Sequence, residues 1–136
     1  MRLAIVGSTS LADNEQVRAE IRDLIASYRS QINDEHEEFI VVSGGARGVD
    51  TMAEEEARAL GIPIVVFPPK TQHWAGPGGY RERNFAIAHY CTHLIRIASV
   101  RSKTYGSGWT RDRAQELGRV ILPERLIGVD TVEAAS

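Results

Sequence analysis

Short apolar runs and longer stripes of helically spaced apolar residues alternate along this chain. The runs predict five buried strands, at Arg2–Val6, Phe39–Val42, Ile62–Phe67, His93–Ile97 and Val120–Leu122. The stripes predict helices, the clearest on Val17, Ile21, Leu24, Ile25 and Tyr28 and the others over Thr51–Leu60, Tyr80–Tyr90 and Thr110–Leu117. Asp13 or Asn14 is the expected cap of the first helix. Gly61 stands where a helix commonly ends.

Regular alternation of strands and helices is typical of an α/β fold. Because the predicted strands are apolar along most of their length, we expect a parallel sheet with helices on both faces. Right-handed connections then produce a doubly wound, three-layer sandwich of about five strands, with the predicted order 3-2-1-4-5. Residues 1–136 are expected to form one domain. In such a sheet a ligand binds outside the carboxyl ends of the strands, where the order reverses between the first and the fourth.

Composition argues against several classes of protein. The formal net charge of −2 is not the positive excess that nucleic-acid-binding proteins usually carry. No apolar run approaches the ~20 residues of a membrane span and no signal peptide is recognisable, so we expect a cytoplasmic protein without membrane contact. The lone Cys91 excludes an internal disulfide, and the four histidines show no metal-ligand spacing. Neither a metal nor a cofactor is therefore expected.

The loops that follow strands differ from the loops that follow helices. Glycine clusters and loop aromatic residues occur after strands, in Gly7–Ser10, Ser43–Asp50, Pro68–Gly79 and Ser99–Trp109. The loops after helices are short or plainly polar. Since all strands of a parallel sheet end at the same edge, this asymmetry predicts a ligand site at that edge.

Two glycine-rich segments are the strongest candidates for binding an anion. "SGGARGVD", from Ser43 to Asp50, and "GSGWT", from Gly106 to Thr110, each lead into a predicted helix. A glycine turn at a helix N-terminus presents backbone N–H groups and the positive end of the helix dipole, which together bind phosphate. Arg47 adds a cation, whereas Asp50 and Thr110 are the expected helix caps. The alternative for each segment is a tight turn without a ligand.

Neither segment matches a standard nucleotide-binding motif. The pattern G-x-x-x-x-G-K-[ST] is absent, so ATP hydrolysis is not expected. G-x-G-x-x-G is also absent after the first strand, which argues against a nicotinamide dinucleotide site.

The third predicted helix opens with "GYRERN", from Gly79 to Asn84. Arg81 and Asn84 share a helix face, and Arg83 lies to one side. Two arginines at a helix N-terminus oppose the helix dipole, which favours a nearby anion over a merely solvated helix start. Trp74, in the preceding loop, is a candidate for stacking on a base. Its alternative is a side chain that packs on its own loop.

Four motifs together resemble one family. "GSTS" after the first strand, "SGGARGVD" after the second, "HWAGPGGYRERN" before the third helix and "GSGWTRDRAQELG" after the fourth strand are similar to the cpYpsA-related branch of the SLOG superfamily. The resemblance runs from Met1 to about Leu122. It implies a Rossmann-like fold, a nucleotide or ADP-ribose-like ligand on the glycine segments, and a homodimer. The superfamily includes Lonely Guy phosphoribohydrolases, the DNA-processing protein A domain and sensor domains of bacterial immunity.

The resemblance extends to individual positions, with one departure. The matching residues are Gly44, Gly45, Gly48 and Asp50 in the first glycine segment, Arg83 and Asn84 at the third helix, and Gly106, Gly108 and Thr110 in the second glycine segment. In the Lonely Guy enzymes a Gly-Thr pair precedes a catalytic glutamate. Here Trp109 interrupts that pair, and only Asp112 or Glu116 stands near the glutamate position. Ligand binding is therefore a safer expectation than hydrolysis.

These observations lead to one main functional hypothesis and two alternatives. The main hypothesis is a domain that binds a phosphorylated, nucleotide-derived or ADP-ribose-like ligand as a sensor, carrier or sequestering protein. The first alternative is a phosphoribohydrolase that cleaves the N-glycosidic bond of a nucleoside monophosphate, with Asp112 as the preferred carboxylate and Glu82 and Asp50 as the others. The second is single-stranded DNA binding by a basic cluster comprising Arg96, Arg101, Lys103, Arg111 and Arg113. The residues expected to contact the ligand are Gly7, Ser8, Ser43, Gly44, Gly45, Arg47, Gly48, Asp50, Trp74, Arg81, Arg83, Asn84, Gly106, Ser107, Gly108 and Thr110.

Overall fold

Strands and helices alternate along the chain in the computed structural model, which describes residues 1–9, 11, 13–33, 35–99 and 105–127. The elements are β1 (Arg2–Gly7), α1 (Glu15–Ser30), β2 (Ile40–Ser43), α2 (Val49–Ala59), β3 (Ile64–Val66), α3 (Tyr80–Tyr90), β4 (His93–Ser99), α4 (Tyr105–Glu116), β5 (Val120–Ile121) and β6 (Arg125–Ile127). The predicted doubly wound, Rossmann-like sandwich is confirmed. No helix among the described residues has the length and apolar character needed to cross a membrane.

The sheet is parallel, and its order β3-β2-β1-β4-β5 is the predicted one. β4 pairs with β1 along one edge. Its other edge is shared, because β5 pairs at His93 and Leu94 and β6 pairs from Ile97 to Ser99. The prediction missed β6, a three-residue strand too short to show a periodic pattern.

Two apolar cores lie on opposite faces of the sheet. Alternate residues of a strand point to opposite faces. Leu3 and Ile5 therefore contact α1 and α2, whereas Ala4 and Val6 contact α3 and α4. The first core consists mainly of large aliphatic side chains, and the second contains several alanines and Cys91. Small residues let α3 and α4 approach the sheet closely, and these two helices also pack on each other.

The helix boundaries agree with the sequence in two cases and differ in two. Asn14 caps α1 by accepting hydrogen bonds from the N–H groups of Gln16 and Val17 at 2.8 and 3.3 Å. α3 spans the predicted residues. The prediction that Asp50 caps α2 was wrong, because this helix already begins at Val49. The prediction that α4 begins near Thr110 was also wrong, because the helix begins at Tyr105 and includes the whole second glycine segment.

Candidate functional site

A cleft of about 830 Å³ lies at the carboxyl edge of the sheet. Its walls come from the segments that follow β1, β2 and β3 and from the first turns of α3 and α4. Its lining residues are Val6, Gly7, Thr9, Gly45, Ala46, Arg47, Asp50, Pro69, Lys70, Thr71, Gln72, Trp74, Tyr80, Arg83, Asn84, Ile87, Gly106, Ser107 and Thr110. Since the strand order reverses between β1 and β4, the cleft lies at the predicted switch point.

The first glycine segment folds around the side chain of Asp50. The N–H of Ala46 donates to Asp50 Oδ2 at 3.2 Å, and the N–H of Gly44 also donates to this carboxylate. The neighbouring N–H of Gly45 donates to Ser43 Oγ at 3.3 Å. A carboxylate of the protein therefore occupies the backbone amides that the sequence suggested for a phosphate.

Asp50 has an unusual electrostatic environment. Its side chain is buried, and this burial raises the pKa of the carboxyl to about 6, against an ordinary value of 3.8. The amide of Ala46 and the charge of Arg83 act in the opposite direction, whereas the charge of Glu54 adds to the rise. The group can therefore change its protonation state close to neutral pH while facing the cleft.

Arg83 connects the glycine segment with α3. Its Nη1 donates to the carbonyl oxygen of Gly44, and its Nε donates to Asn84 Oδ1 at 2.6 Å. The guanidinium also lies 5.5 Å from the centre of the Tyr80 ring. Burial lowers the pKa of Arg83, and the charge of Asp50 opposes that shift. These contacts fix one cation in the wall of the cleft, close enough to Asp50 for each charge to affect the pKa of the other.

The second glycine segment forms the first turns of α4 and not a loop. Thr110 does not cap this helix, because its Oγ1 donates to the carbonyl oxygen of Gly106 at 2.8 Å, one turn back. Gly106, Ser107 and Thr110 line the cleft, so the N-terminal end of α4 forms part of its wall. An N-terminal helix end presents backbone N–H groups and a positive partial charge to whatever occupies the cleft.

Residues 68–79 form a strap beside the cleft. The N–H groups of Lys70 and Thr71 both donate to the carbonyl oxygen of Gly78, at 2.8 and 3.0 Å. Lys70, Thr71 and Gln72 line the cleft, as does Tyr80 on α3, although none of these residues was predicted to bind the ligand. For Lys70, Thr71 and Gln72, the available signal was their position in the segment that follows β3. Trp74 packs edge-on against Trp109 of α4, with 5.5 Å between ring centroids.

Comparison with known proteins places the chain in a family. A family model described as YAcAr, the YspA, cpYpsA-related SLOG family, matches residues 1–74, which include the first glycine segment. The chain belongs to this SLOG family. No curated protein sequence matches it.

Two solved structures share the fold of this SLOG protein. DNA processing protein A (DprA) from Streptococcus pneumoniae superposes with a TM-score of 0.65 at 22% identity, covering 98% of this chain and 55% of the DprA chain. The chain therefore spans about half of that protein. The structural-genomics target TM1055 superposes with a TM-score of 0.64 at 15% identity, covering 98% of this chain and 95% of the other.

The cleft brings together ten of the sixteen ligand-binding residues predicted for this SLOG protein. They are Gly7, Gly45, Arg47, Asp50, Trp74, Arg83, Asn84, Gly106, Ser107 and Thr110. Among the described residues, the other six lie outside the lining. Ser8 accepts a hydrogen bond from the N–H of Ser99, Ser43 donates to Glu54, and Gly44 contacts Arg83. Gly48 packs on Ser8, Gly108 lies near Arg96 and Arg111, and Arg81 lines a separate groove with Trp109.

The two carboxylates named first for catalysis do not line the cleft. Because α4 begins earlier than predicted, Asp112 lies two turns into the helix, where its half-exposed side chain pairs with Arg111 at 3.2 Å. Glu82 accepts a hydrogen bond from the N–H of Gly78 at 3.1 Å and supports the strap. Of the three candidates, only Asp50 faces the cleft. Among the described residues, no group of histidine, cysteine, aspartate and glutamate is arranged to hold a metal.

Proposed function

We propose that this protein binds a phosphorylated, nucleotide-derived ligand, such as a nucleoside phosphate or an ADP-ribose derivative, in the cleft at the switch point. The observation that carries the proposal is the convergence in one cleft of a buried carboxylate, a fixed arginine and the N-terminal end of α4. The volume of about 830 Å³ falls within the range of small-molecule sites.

The chemistry of the walls suggests how such a ligand would lie. Because Asp50 already occupies amides of the first glycine segment, a phosphate would bind on the α4 side, between the helix N-terminus and the cations Arg47 and Lys70. A carboxylate accepts hydrogen bonds from sugar hydroxyls, so Asp50 would hold the ribose. The ring of Trp74 would lie against the base.

The experiment begins with native mass spectrometry of the purified protein, followed by calorimetric titration with AMP and ADP-ribose. We expect micromolar binding of at least one probe. Arg47→Gln should weaken it at least tenfold, because the variant loses one of the two cations placed beside the phosphate. Arg58→Gln, a change of an exposed arginine on α2, is the matched control and should bind normally. Failure of wild-type protein to bind any phosphorylated probe would contradict the proposal.

One observation favours a second function, hydrolysis of the N-glycosidic bond of a nucleoside monophosphate. A carboxyl with a pKa of about 6, facing a nucleotide-sized cleft, is suited to accept a proton from an attacking water or to stabilise developing positive charge on the sugar. We expect any release of base from AMP to be lost in Asp50→Asn and retained in Asp112→Asn. Chromatographic assay of free base would test this, and loss in Asp112→Asn alone would overturn the assignment.

Nucleic-acid binding is not part of the proposal, although the similar fold of DprA belongs to a DNA-processing protein. In the predicted basic cluster, Arg96 and Arg111 both pair with Glu124, and Arg113 pairs with Glu116. Arg101 and Lys103 lie outside the described residues. Carboxylates thus neutralise the described part of the cluster, which weakens its attraction for a phosphate backbone.

We also propose a homodimer through the outer face of α3 and α4. Ile87 and Ala88 are buried against the sheet, whereas the Phe85 residue is 46% exposed and Leu117 is 37% exposed. Exposed apolar side chains, aromatic rings such as that of Phe85 above all, are typical of a subunit interface. Light scattering should give twice the 15.0 kDa monomer mass for wild type and the monomer mass for Phe85→Glu. Val120→Glu, an exposed position on β5, is the control and should remain dimeric.

A further inference from the structure

Arg96 lies behind the wall of the cleft, on β4, and contacts the first turn of α4. Its Nε donates to Ser107 Oγ at 2.8 Å, and its Nη1 donates to Glu124 Oε1 at 3.0 Å. The side chain is only 13% exposed, and Arg96 does not belong to the residues that line the cleft. It therefore touches the site only through Ser107, which is itself buried and does line the cleft.

The position of Arg96 needs a compensating charge. A cation near the N-terminal end of a helix opposes the helix dipole, and its burial adds a desolvation cost. Glu124 compensates for both effects, and it also contacts Nη1 of Arg111, one turn after Ser107 on α4. The segment before β6 thus holds Arg96 against the helix through a carboxylate shared by two arginines.

The hydrogen bond from Arg96 determines what the Ser107 hydroxyl can do. A serine hydroxyl has one proton to donate and lone pairs to accept. Because the oxygen of Ser107 accepts from Arg96, its own proton is left for a different acceptor. The other hydroxyl of α4 in the cleft wall, that of Thr110, donates its proton to the carbonyl oxygen of Gly106. Of the two α4 hydroxyls among the described residues of the lining, that of Ser107 is therefore the one suited to donate to an anion in the cleft.

We propose that Arg96 is a positioning residue for a phosphate-bearing ligand. It orients the Ser107 hydroxyl as a donor toward the phosphate, polarises it, and keeps the first turn of α4 at the cleft wall. This inference rests on the proposed binding function. It deepens that function by assigning recognition of the phosphate to the Ser107 hydroxyl, which Arg96 orients from outside the cleft. Glu124 holds Arg96 in turn.

The test compares AMP and ADP-ribose with adenosine, which lacks phosphate, in calorimetric titrations. Arg96→Gln should weaken binding of the phosphorylated probes about tenfold while changing adenosine binding less than about twofold. Ser107→Ala should have a similar effect. Combining the two changes should weaken binding little beyond either alone, because both remove the same donor. Arg96→Lys, which retains a charged donor, should restore part of the affinity.

The controls separate this inference from the proposed function. Arg113→Gln removes a charge from the same helix without touching Ser107, and it should bind all three probes normally. Additive losses in the double variant, or an equal loss for adenosine and AMP in Arg96→Gln, would overturn the positioning role while leaving ligand binding in place. If wild-type protein binds adenosine and no phosphorylated probe, both the function and the inference fail. Amide exchange at Trp109 to Asp112, whose N–H groups lie in the next turn and bond back to the first turn of α4, should quicken in Arg96→Gln. An unchanged rate would contradict the proposal that Arg96 holds the first turn in place.

Discussion

The two glycine-rich segments have similar compositions but different structures. In the segment from Ser43 to Asp50, Gly45 and Gly48 adopt positive φ angles of 75° and 74°, and the backbone folds around a buried carboxylate. In the segment from Gly106 to Thr110, both glycines lie in an α-helix. The first segment uses glycine because its backbone requires it, whereas the second uses glycine where other residues would also fit.

The difference changes what each segment contributes to the cleft. The first supplies the carboxylate of Asp50, and its Gly44 carbonyl oxygen accepts a hydrogen bond from Arg83 of α3. The second supplies a helix end and the hydroxyl of Ser107. A glycine-rich segment beside a cleft is therefore not by itself evidence for phosphate binding, because side chains of the protein can already bind its backbone amides. Three sets of variants test this contrast.

The largest effect is expected for Gly48→Ala in the first segment. Gly48 has φ 74° and ψ −127°, and a Cβ there would lie 2.4 Å from the carbonyl oxygen of Ser8. Strain and overlap together should lower the free energy of unfolding by about 4 kcal/mol. Gly61→Ala, with a similar φ of 72° and open space around it, should lose only about 1 kcal/mol. Urea denaturation of both variants measures the difference, and equal losses would show that crowding at Gly48 is unimportant.

An intermediate effect is expected for the carboxylate that the first segment encloses. The pKa of Asp50 is raised in the folded protein to about 6 from an ordinary 3.8, so the folded state binds the proton more tightly than the unfolded chain. The stability that the folded state gains from this tighter proton binding is present at acid pH, below about pH 4, and is lost as the pH rises through 6. Relative to Asp50→Asn, wild type should therefore lose about 2–3 kcal/mol between pH 4 and pH 7.

Denaturation of the two proteins without ligand, at intervals across that range, measures this pH dependence. Asp23→Asn, a change on α1, serves as the control and should follow the wild-type curve. Parallel curves for wild type and Asp50→Asn would refute the raised pKa. A relative gain in wild-type stability as the pH increases would mean that Arg83 outweighs burial at this carboxyl.

The smallest effects are expected in the second segment. A Cβ at Gly108 would meet only side-chain atoms at 3.9 Å or more, so Gly108→Ala should stabilise the protein by about 0.5–1 kcal/mol through its higher helix propensity. It should leave AMP affinity unchanged. Gly106→Ala adds a methyl group to the cleft wall, 3.7 Å from Asn84 Nδ2, and should weaken AMP binding several-fold. Marked destabilisation by Gly108→Ala would indicate that the helix begins later than Tyr105.

Local patterns in the sequence accounted for most of the fold. The apolar run of β1, the stripe of α1 and the cap at Asn14 involve residues close together in the chain, so their structural meaning could be inferred from spacing. The boundaries of α3 followed in the same way. The loops that follow strands are rich in glycine and the loops that follow helices are not. This difference predicted the position of the cleft, because a parallel sheet brings all strand ends to one edge.

The errors concerned residues whose structure depends on contacts that the spacing of residue types does not reveal. Asp50 resembled a helix cap because aspartate commonly caps helices, but its carboxylate accepts from the amides of its own glycine segment and faces Arg83. The start of α4 was misplaced because glycine and serine are poor helix formers. In the folded chain, Arg96 of β4 binds Ser107 inside the first turn of that helix.

Apart from β6, the sequence by itself determined the order of elements, the sheet topology and the edge that carries the cleft, because these follow from hydrophobic periodicity and from chain handedness. Only the tertiary structure decided which polar groups face the cleft. Asp50 lines it and Asp112 does not, because α4 begins at Tyr105 and Asp112 therefore lies two turns from the helix end that reaches the cleft. Whether a backbone amide remains available to a ligand depends on contacts such as that of Ala46 with Asp50, and spacing alone does not encode them.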